Sequence, residues 1–248
     1  MFSWTRLLLI VSCILVSLAA PPPAHAMHIM EGFLPPFWSF FWAVITIPFV
    51  ARGLFSVRKA VSENPRLKIL LAVAGAFAFV LSALKIPSVT GSCSHPTGIG
   101  LGAILFGPTA MSIIGLMVLL FQAVLLAHGG LTTLGANTFS MAVAGPFVAY
   151  SVFKIAKKFN CPTSFAVFLA ALLGDVFTYV TTAVQLSLAF PADKGGIGVS
   201  LIKFLSIFAV TQIPLAVSEG ILTVLIFKAI AAYNKHELTE LKILPEEA

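Results

Sequence analysis

The chain has 248 residues, of which 59% are hydrophobic and only 10% are charged, and its formal net charge is +6. Soluble domains are about half apolar and a quarter charged, so a mean hydropathy of +1.03 excludes an ordinary soluble protein. The basic residues lie in short clusters between apolar runs, which is typical of the cytoplasmic loops of a membrane protein and not of a nucleic-acid-binding surface.

The N-terminus predicts a cleaved secretory signal over residues 1–26. Arg6 is its basic part, LLLIVSCILVSLAA is its apolar part, and AHA at 24–26 fits the small-residue cleavage rule. An uncleaved first helix is the alternative, but the run is short for a membrane span and ends at three prolines. Cleavage makes Met27 the first residue of the mature chain and places it outside the cell.

The mature chain, 27–248, consists mainly of apolar runs that approach or exceed the 20 or so residues a membrane helix needs. No run alternates in the manner of a membrane β-barrel strand, so we predict an all-α polytopic membrane protein with about seven transmembrane helices. The expected spans are 37–55, 68–85, a short 96–107, 108–127, 138–155, 162–190 and 200–231, followed by a cytoplasmic tail over 232–248.

The short span follows from the charge distribution. If 101–127 were a single crossing, the lysines at 154, 157 and 158 would lie outside, against the positive-inside rule. An extra crossing by 96–107 places them in the cytoplasm, and such a short segment must be a partial helix buried by its neighbours. The loops GSCSHPTG and HGGLTTLGAN then lie on the same outer side as the mature N-terminus.

These outer segments contain the ligands expected for a divalent metal. A free N-terminal Met27 followed by His28 offers an amine, an amide nitrogen and an imidazole in adjoining chelate rings, and His95 is the best-placed fourth donor. Such a set favours Ni(II), Cu(II) and low-spin Co(II) over Mg or Ca, which prefer oxygen. Taken singly, His28 could be an exposed terminal residue and His95 a loop histidine bonded to backbone; together, on one side, they favour the metal site.

Other polar residues are expected to support this site. His128 and Asn137 are candidates for orienting a ligand imidazole or pinning the N-terminal segment, with a helix cap as the alternative for both. Glu31 either seats that segment or is solvated. Ser94 and Thr132 are expected to hold the two outer loops in place.

The sequence lacks the patterns of an enzyme. It has no G-K-[ST] ending after its glycine-rich stretches and no H-E-x-x-H pair, so any ATP hydrolysis belongs to another chain, and an intramembrane metalloenzyme is disfavoured. Cys93 and Cys161 lie in different loops without metal-ligand spacing. The intramembrane carboxyls Asp175 and Glu219 predict helix–helix hydrogen bonding or a partner contact, or else proton-linked groups of a gradient-driven transporter.

The segments MHIMEGFLPP, GSCSHPTGIGLGAILFGP and HGGLTTLGAN closely resemble the CbiM family, the substrate-binding component of energy-coupling-factor cobalt transporters. The resemblance extends from Met27 to about Lys242 and implies a seven-helix capture subunit whose N-terminal segment inserts into the bundle. It implies as metal ligands the Met27 amine, the His28 amide and imidazole nitrogens, and His95. Nickel-specific relatives share the Met-His start, so ligand type alone leaves cobalt and nickel open.

The resemblance also implies a location and partners. The protein would lie in the cell inner membrane, with the mature N-terminus outside and the C-terminus in the cytoplasm, and would import Co2+, or alternatively Ni2+, as its substrate, with no resident cofactor. Its partners would be a transmembrane coupling subunit (CbiQ-like), a small membrane subunit (CbiN-like) and a cytoplasmic ATPase (CbiO-like). The cobalt would feed cobalamin biosynthesis.

Overall fold

A computed structural model describes residues 28–88, 93–241 and 243. The predicted signal peptide and Met27 lie outside the described residues, so the cleavage and amine-ligand expectations stay predictions. Within the described residues, the helices are α1 Pro36–Glu63, α2 Leu67–Ala83, α3 Ile99–Phe106, α4 Pro108–Leu126, α5 Leu134–Lys158, α6 Thr163–Ala189, α7 Gly196–Tyr233 and α8 Lys235–Glu240. Two short antiparallel strands, β1 Ile86–Pro87 and β2 Cys93–Ser94, lie between α2 and α3.

The all-α membrane fold is confirmed. Five helices of the described chain (α1, α4, α5, α6 and α7) are long and apolar enough to cross a membrane, and α2 is an apolar helix of 17 residues. Large apolar side chains such as Phe40, Ile69, Leu125 and Ile202 point outward and are more than 65% exposed. An exposed apolar surface of this extent suits a hydrocarbon solvent and not water.

Helix α1 continues eight residues beyond the expected end at 55, because its last two turns are built from helix-forming and polar residues. Lys59 and Glu63 face each other there, four residues apart on an exposed surface. Helix α7 has 38 residues, about 57 Å at 1.5 Å per residue, and contains Pro214. Both helices therefore extend past the hydrocarbon layer of about 30 Å.

The short helix α3 lies in the middle of the bundle. It contacts α2, α4, α5, α6 and α7, and every residue from 99 to 105 is buried. Its eight residues span about 12 Å, too little to cross the membrane. Close packing depends on its glycines: a Cβ on Gly100 would lie 2.8 Å from the Ala171 Cα atom, and one on Gly102 would collide with the Met111 sulfur.

Helix α5 changes its winding along its length. It begins with one turn at Leu134–Asn137, continues as a π-helix over Thr138–Ala144 and ends as an α-helix over Gly145–Lys158. Such π-helical stretches often occur at functional sites. In this chain the stretch carries Met141, which is fully buried.

The loops meet at two ends of the bundle. At one end, called the site end below, the Phe33 ring packs at a tilt against Phe190, with ring centroids 5.0 Å apart, and the Lys85 ammonium donates to the Leu126 carbonyl at 3.3 Å. The N-terminal segment and the α2–α3, α4–α5 and α6–α7 loops therefore lie together. At the other end, Asn64 donates to Glu240.

Candidate metal centre

Three histidines converge at the site end. His28 lies in the segment before α1, His95 lies between β2 and α3, and His128 follows α4, and each is at most 2% exposed. Their ring centroids are 4.4 to 5.0 Å apart. One nitrogen from each ring can be chosen so that all three lie within 4.8 Å of one another. Imidazoles at such distances can share one metal ion.

The hydrogen bonds of two rings identify their free nitrogens. His95 Nδ1 lies 3.0 Å from the Pro96 carbonyl oxygen, and His28 Nε2 lies 3.3 Å from the Met141 sulfur. Carbonyls and thioethers accept hydrogen bonds and do not donate them. These contacts therefore favour protonation of His95 Nδ1 and His28 Nε2, which leaves lone pairs on His95 Nε2 and His28 Nδ1.

Both of those lone-pair nitrogens are buried and, within the described part of the chain, lack a hydrogen-bond partner; the same holds for both ring nitrogens of His128. A buried polar atom without a partner costs about 1–3 kcal/mol. Four such atoms in one cluster are a strong indication of a ligand. His128, expected to play a supporting part, is thus an additional candidate donor.

The electrostatics keep the three rings neutral near pH 7. Burial lowers the pKa of His95 to about 4, and burial together with the nearby His95 lowers that of His128 to about 3. Burial, with added repulsion from His95 and His128, also holds the pKa of His28 well below its ordinary value. Neutral imidazole is the form that ligates a metal, so these rings need not lose protons before binding.

The N-terminal segment is clamped on the first turn of α5. The Ile29 N–H donates to Asn137 Oδ1 at 2.8 Å, and Asn137 Nδ2 donates to the Ile29 carbonyl at 3.0 Å. Thr133 Oγ1 donates to the same carbonyl at 2.6 Å. Asn137 thus holds both backbone groups of the residue next to His28, and within the described chain it makes no hydrogen bond to an imidazole nitrogen.

A second set of contacts seats this segment at the rim. The Thr132 N–H donates to the Glu31 carboxylate at 3.2 to 3.3 Å, and the Gly32 N–H donates to Thr132 Oγ1 at 3.0 Å. The hydrogen bonds from Thr132 lower the pKa of Glu31, so the carboxylate stays ionised. Gly130 lies so close to Glu31 that a Cβ would collide with its backbone.

The His95 segment is held by α6 and α7. The Tyr179 hydroxyl accepts from the His95 N–H at 3.1 Å and donates to the His95 carbonyl at 2.9 Å. Gln212 Nε2 donates to that carbonyl at 3.3 Å. The Ser94 and Thr211 hydroxyls lie 2.8 Å apart, so Ser94 ties this loop to α7.

The two intramembrane carboxyls lie outside the histidine cluster. Asp175 on α6 accepts from Gln212, and Glu219 on α7 accepts from the Thr97 N–H and, at 3.0 Å, from Thr97 Oγ1. Both carboxyls are fully buried. They take part in helix–helix and helix–loop hydrogen bonding, which is one of the roles expected for them.

Several residues that contact the histidines, or hold the segments carrying them, were not singled out from the sequence. Thr133 adjoins Thr132 in the HGGLTTLGAN segment, so that segment did contain a signal. Met141, Tyr179 and Gln212 lie within long apolar runs, and no spacing or composition marks them as neighbours of a histidine.

Known proteins are similar to this chain along most of its length. The family model of CbiM, described as "Cobalt uptake substrate-specific transmembrane region", matches residues 28–237. A protein of Chlorobium limicola named "Cobalt transport protein CbiM" is 68% identical over 212 residues, covering 86% of this chain and 84% of the relative. A protein of the same name from Moorella thermoacetica is 62% identical over 243 residues, covering 98% and 92%.

The chain belongs to the CbiM family. Its fold is also similar to that of a solved "transition metal transporter", with a TM-score of 0.72 and 26% identity over 84% of this chain and 94% of the other. A truncated form of such a transporter gives a TM-score of 0.71 at 25% identity, covering 83% and 99%. The family's relatives are thus named as transport proteins, and the three histidines lie within or at the edge of the matched region.

Proposed function

We propose that this chain captures divalent cobalt at the outer face of the cell membrane for an ATP-driven energy-coupling-factor importer. The observation that carries the proposal is the cluster of three buried, neutral histidines with unpartnered ring nitrogens in a chain of the CbiM family. The ATPase would be a separate cytoplasmic subunit of the CbiO type, joined through CbiQ-like and CbiN-like membrane subunits. The imported cobalt would supply cobalamin biosynthesis.

The proposed ligands are the Met27 amine, the His28 amide nitrogen and His28 Nδ1, and His95 Nε2. The amine and the amide form a five-membered ring with the metal, and the amide and Nδ1 form a six-membered ring. Only Nδ1 of His28 can close that second ring, and Nδ1 is the nitrogen that the Met141 contact leaves free. His128 adjoins the four nitrogens, either as a further donor or as a supporting residue.

The proposed orientation rests on charge. The described basic residues fall mostly at or toward the end opposite the site: Arg52, Arg58, Lys59, Arg66, Lys68, Lys154, Lys157, Lys158, Lys228 and Lys235. Only Lys85, Lys194 and Lys203 lie toward the site end among the described residues. The positive-inside rule then puts the site outside and the C-terminal tail in the cytoplasm of a multi-pass inner-membrane protein.

Cobalt is proposed over nickel because of the family, and not because of the ligands. In an unconstrained nitrogen site, affinity generally rises from cobalt to nickel. A nickel importer of the same type is therefore the alternative, and equilibrium competition between the two ions on the purified protein separates them. ATP dependence of cobalt uptake in cells separates both from a gradient-driven transporter.

The test compares two forms of the purified protein, one with Met27 as its natural first residue and one with a single alanine added before it. A third form, with the alanine added after Ala248, is the matched control. We expect about one cobalt per chain in the natural and control forms and little in the N-terminally extended form, by elemental analysis after gel filtration. Equal metal content in all three would exclude the amine as a ligand.

A further inference from the structure

The segment 95–97 is fixed to the helix bundle by contacts that do not involve the imidazole of His95. Tyr179 of α6 pairs with both backbone groups of His95, and Gln212 of α7 adds a third bond. Two residues on, Glu219 of α7 accepts from the backbone and the hydroxyl of Thr97. The position of His95 Nε2 therefore depends on where α7 lies.

Helix α7 holds this segment at two points on opposite sides of Pro214. Gln212 lies before the proline and Glu219 after it, about 10 Å further along the helix at 1.5 Å per residue. A proline inside a helix removes one backbone hydrogen bond and permits a bend there. The half of α7 after Pro214 can therefore tilt relative to the half before it, carrying Glu219 with it.

The Glu219 carboxyl has a strong physical reason to stay on Thr97. It is fully buried in an apolar bundle, where a carboxyl without hydrogen bonds is costly. Thr97 donates to it through both its N–H and its hydroxyl, so separation would leave buried polar atoms of both residues without partners. When α7 moves, the Thr97 segment is thus expected to follow the carboxyl.

We propose that Glu219 is the positioning residue that ties the His95 segment to α7. When the half of α7 after Pro214 tilts, it then draws His95 Nε2 off the ion and opens the site. This proposal rests on the proposed function, because it takes His95 as a ligand. It identifies α7 as the element through which a membrane or cytoplasmic partner would trigger release.

The test measures the dissociation rate of Co2+ from the purified protein with its natural N-terminus, after addition of excess chelator. Glu219→Leu removes both acceptors for Thr97 and is expected to raise the rate 10- to 100-fold, the usual range when a residue supporting a metal ligand is lost. Glu219→Gln keeps one acceptor and is expected to stay within about threefold of the natural protein. Thr223→Val changes another fully buried polar residue of α7, one turn further on, and is expected to leave the rate unchanged.

The visible absorption spectrum of bound Co2+ distinguishes positioning from general destabilisation. We expect its ligand-field bands to shift in Glu219→Leu and to stay unchanged in Thr223→Val. If Glu219→Leu does not fold, Thr97→Val removes only the hydroxyl contact and is expected to raise the rate about fivefold.

Three outcomes separate the proposals. If the natural protein binds no cobalt, the proposed function fails; if it binds cobalt but His95→Ala binds it equally well, His95 is not a ligand and the role of Glu219 fails with it. If cobalt binding needs His95 but the rate and spectrum of Glu219→Leu, or of Thr97→Val where Leu does not fold, match those of the natural protein, only the role of Glu219 is overturned.

Discussion

Asn137→Ala tests whether the clamp on the N-terminal segment builds the metal site. The substitution removes the two hydrogen bonds that Asn137 makes to the backbone of Ile29, which is 2% exposed. Each is worth about 1 kcal/mol, so docking of the segment weakens by about 2 kcal/mol. Because the segment carries His28, the Kd for Co2+ is expected to rise about 30-fold, at 1.4 kcal/mol per factor of ten.

The assay is titration of Co2+ into detergent-purified protein with the natural N-terminus, followed by calorimetry. Thr133→Val is the graded comparison: it removes one bond to the same Ile29 carbonyl and is expected to raise the Kd about fivefold. An Asn137→Ala protein that is folded and binds cobalt within threefold of the natural protein would refute the clamp, since the segment would then dock without it.

Three further outcomes are expected. Burial lowers the pKa of His95 to about 4 and also lowers those of His28 and His128. With the proposed ligand set, only the Met27 amine and the His28 amide would release protons on binding between pH 7.5 and pH 6, so cobalt affinity should fall about 100-fold per pH unit below the amine pKa of about 7.7–8. A nearly constant affinity in a pH titration would mean that imidazoles alone bind. Met141→Leu nearly conserves the side-chain volume but removes the acceptor at His28 Nε2, so the Kd for Co2+ measured by calorimetry should rise about fivefold. Met111→Leu is an equally buried control away from the cluster and should leave that Kd unchanged. Gly130→Val places a side chain against the backbone of Glu31 and should lower the cobalt content of the purified protein by at least tenfold. An unchanged cobalt content would show that the loop containing Gly130 can move aside.

The sequence predicted the fold class because hydrocarbon imposes long apolar helices and their lengths are visible in one dimension. It also predicted a short, buried segment near 96–107 from the lysines in the last turns of α5; the helix found there is Ile99–Phe106. The ends of α1 and α7 were less accessible, because polar turns beyond the hydrocarbon layer remain helical without any hydropathy signal.

For the site, the sequence singled out His28 and His95 through chain chemistry and loop composition, and the structure brings them together with His128. It could not identify the role of Met141, because a methionine in an apolar run looks like any other core residue until the fold places it 3.3 Å from an imidazole. It also could not rank Asn137 as a clamp rather than a helix cap, since both roles use the same amide in the same first turn.

The short, buried helix α3 has a consequence for how the protein is made. A membrane-spanning helix needs about 20 apolar residues, and α3 has eight, joined to α4 through Gly107, whose φ of +82° permits the sharp reversal before Pro108. During synthesis α3 therefore cannot remain in the membrane as a span of its own, and it would reach its place only when α5, α6 and α7 are present to cover it. The loop that carries His95 is attached to the start of α3, so the proposed metal site would form late in biogenesis, after the last long helix has been inserted.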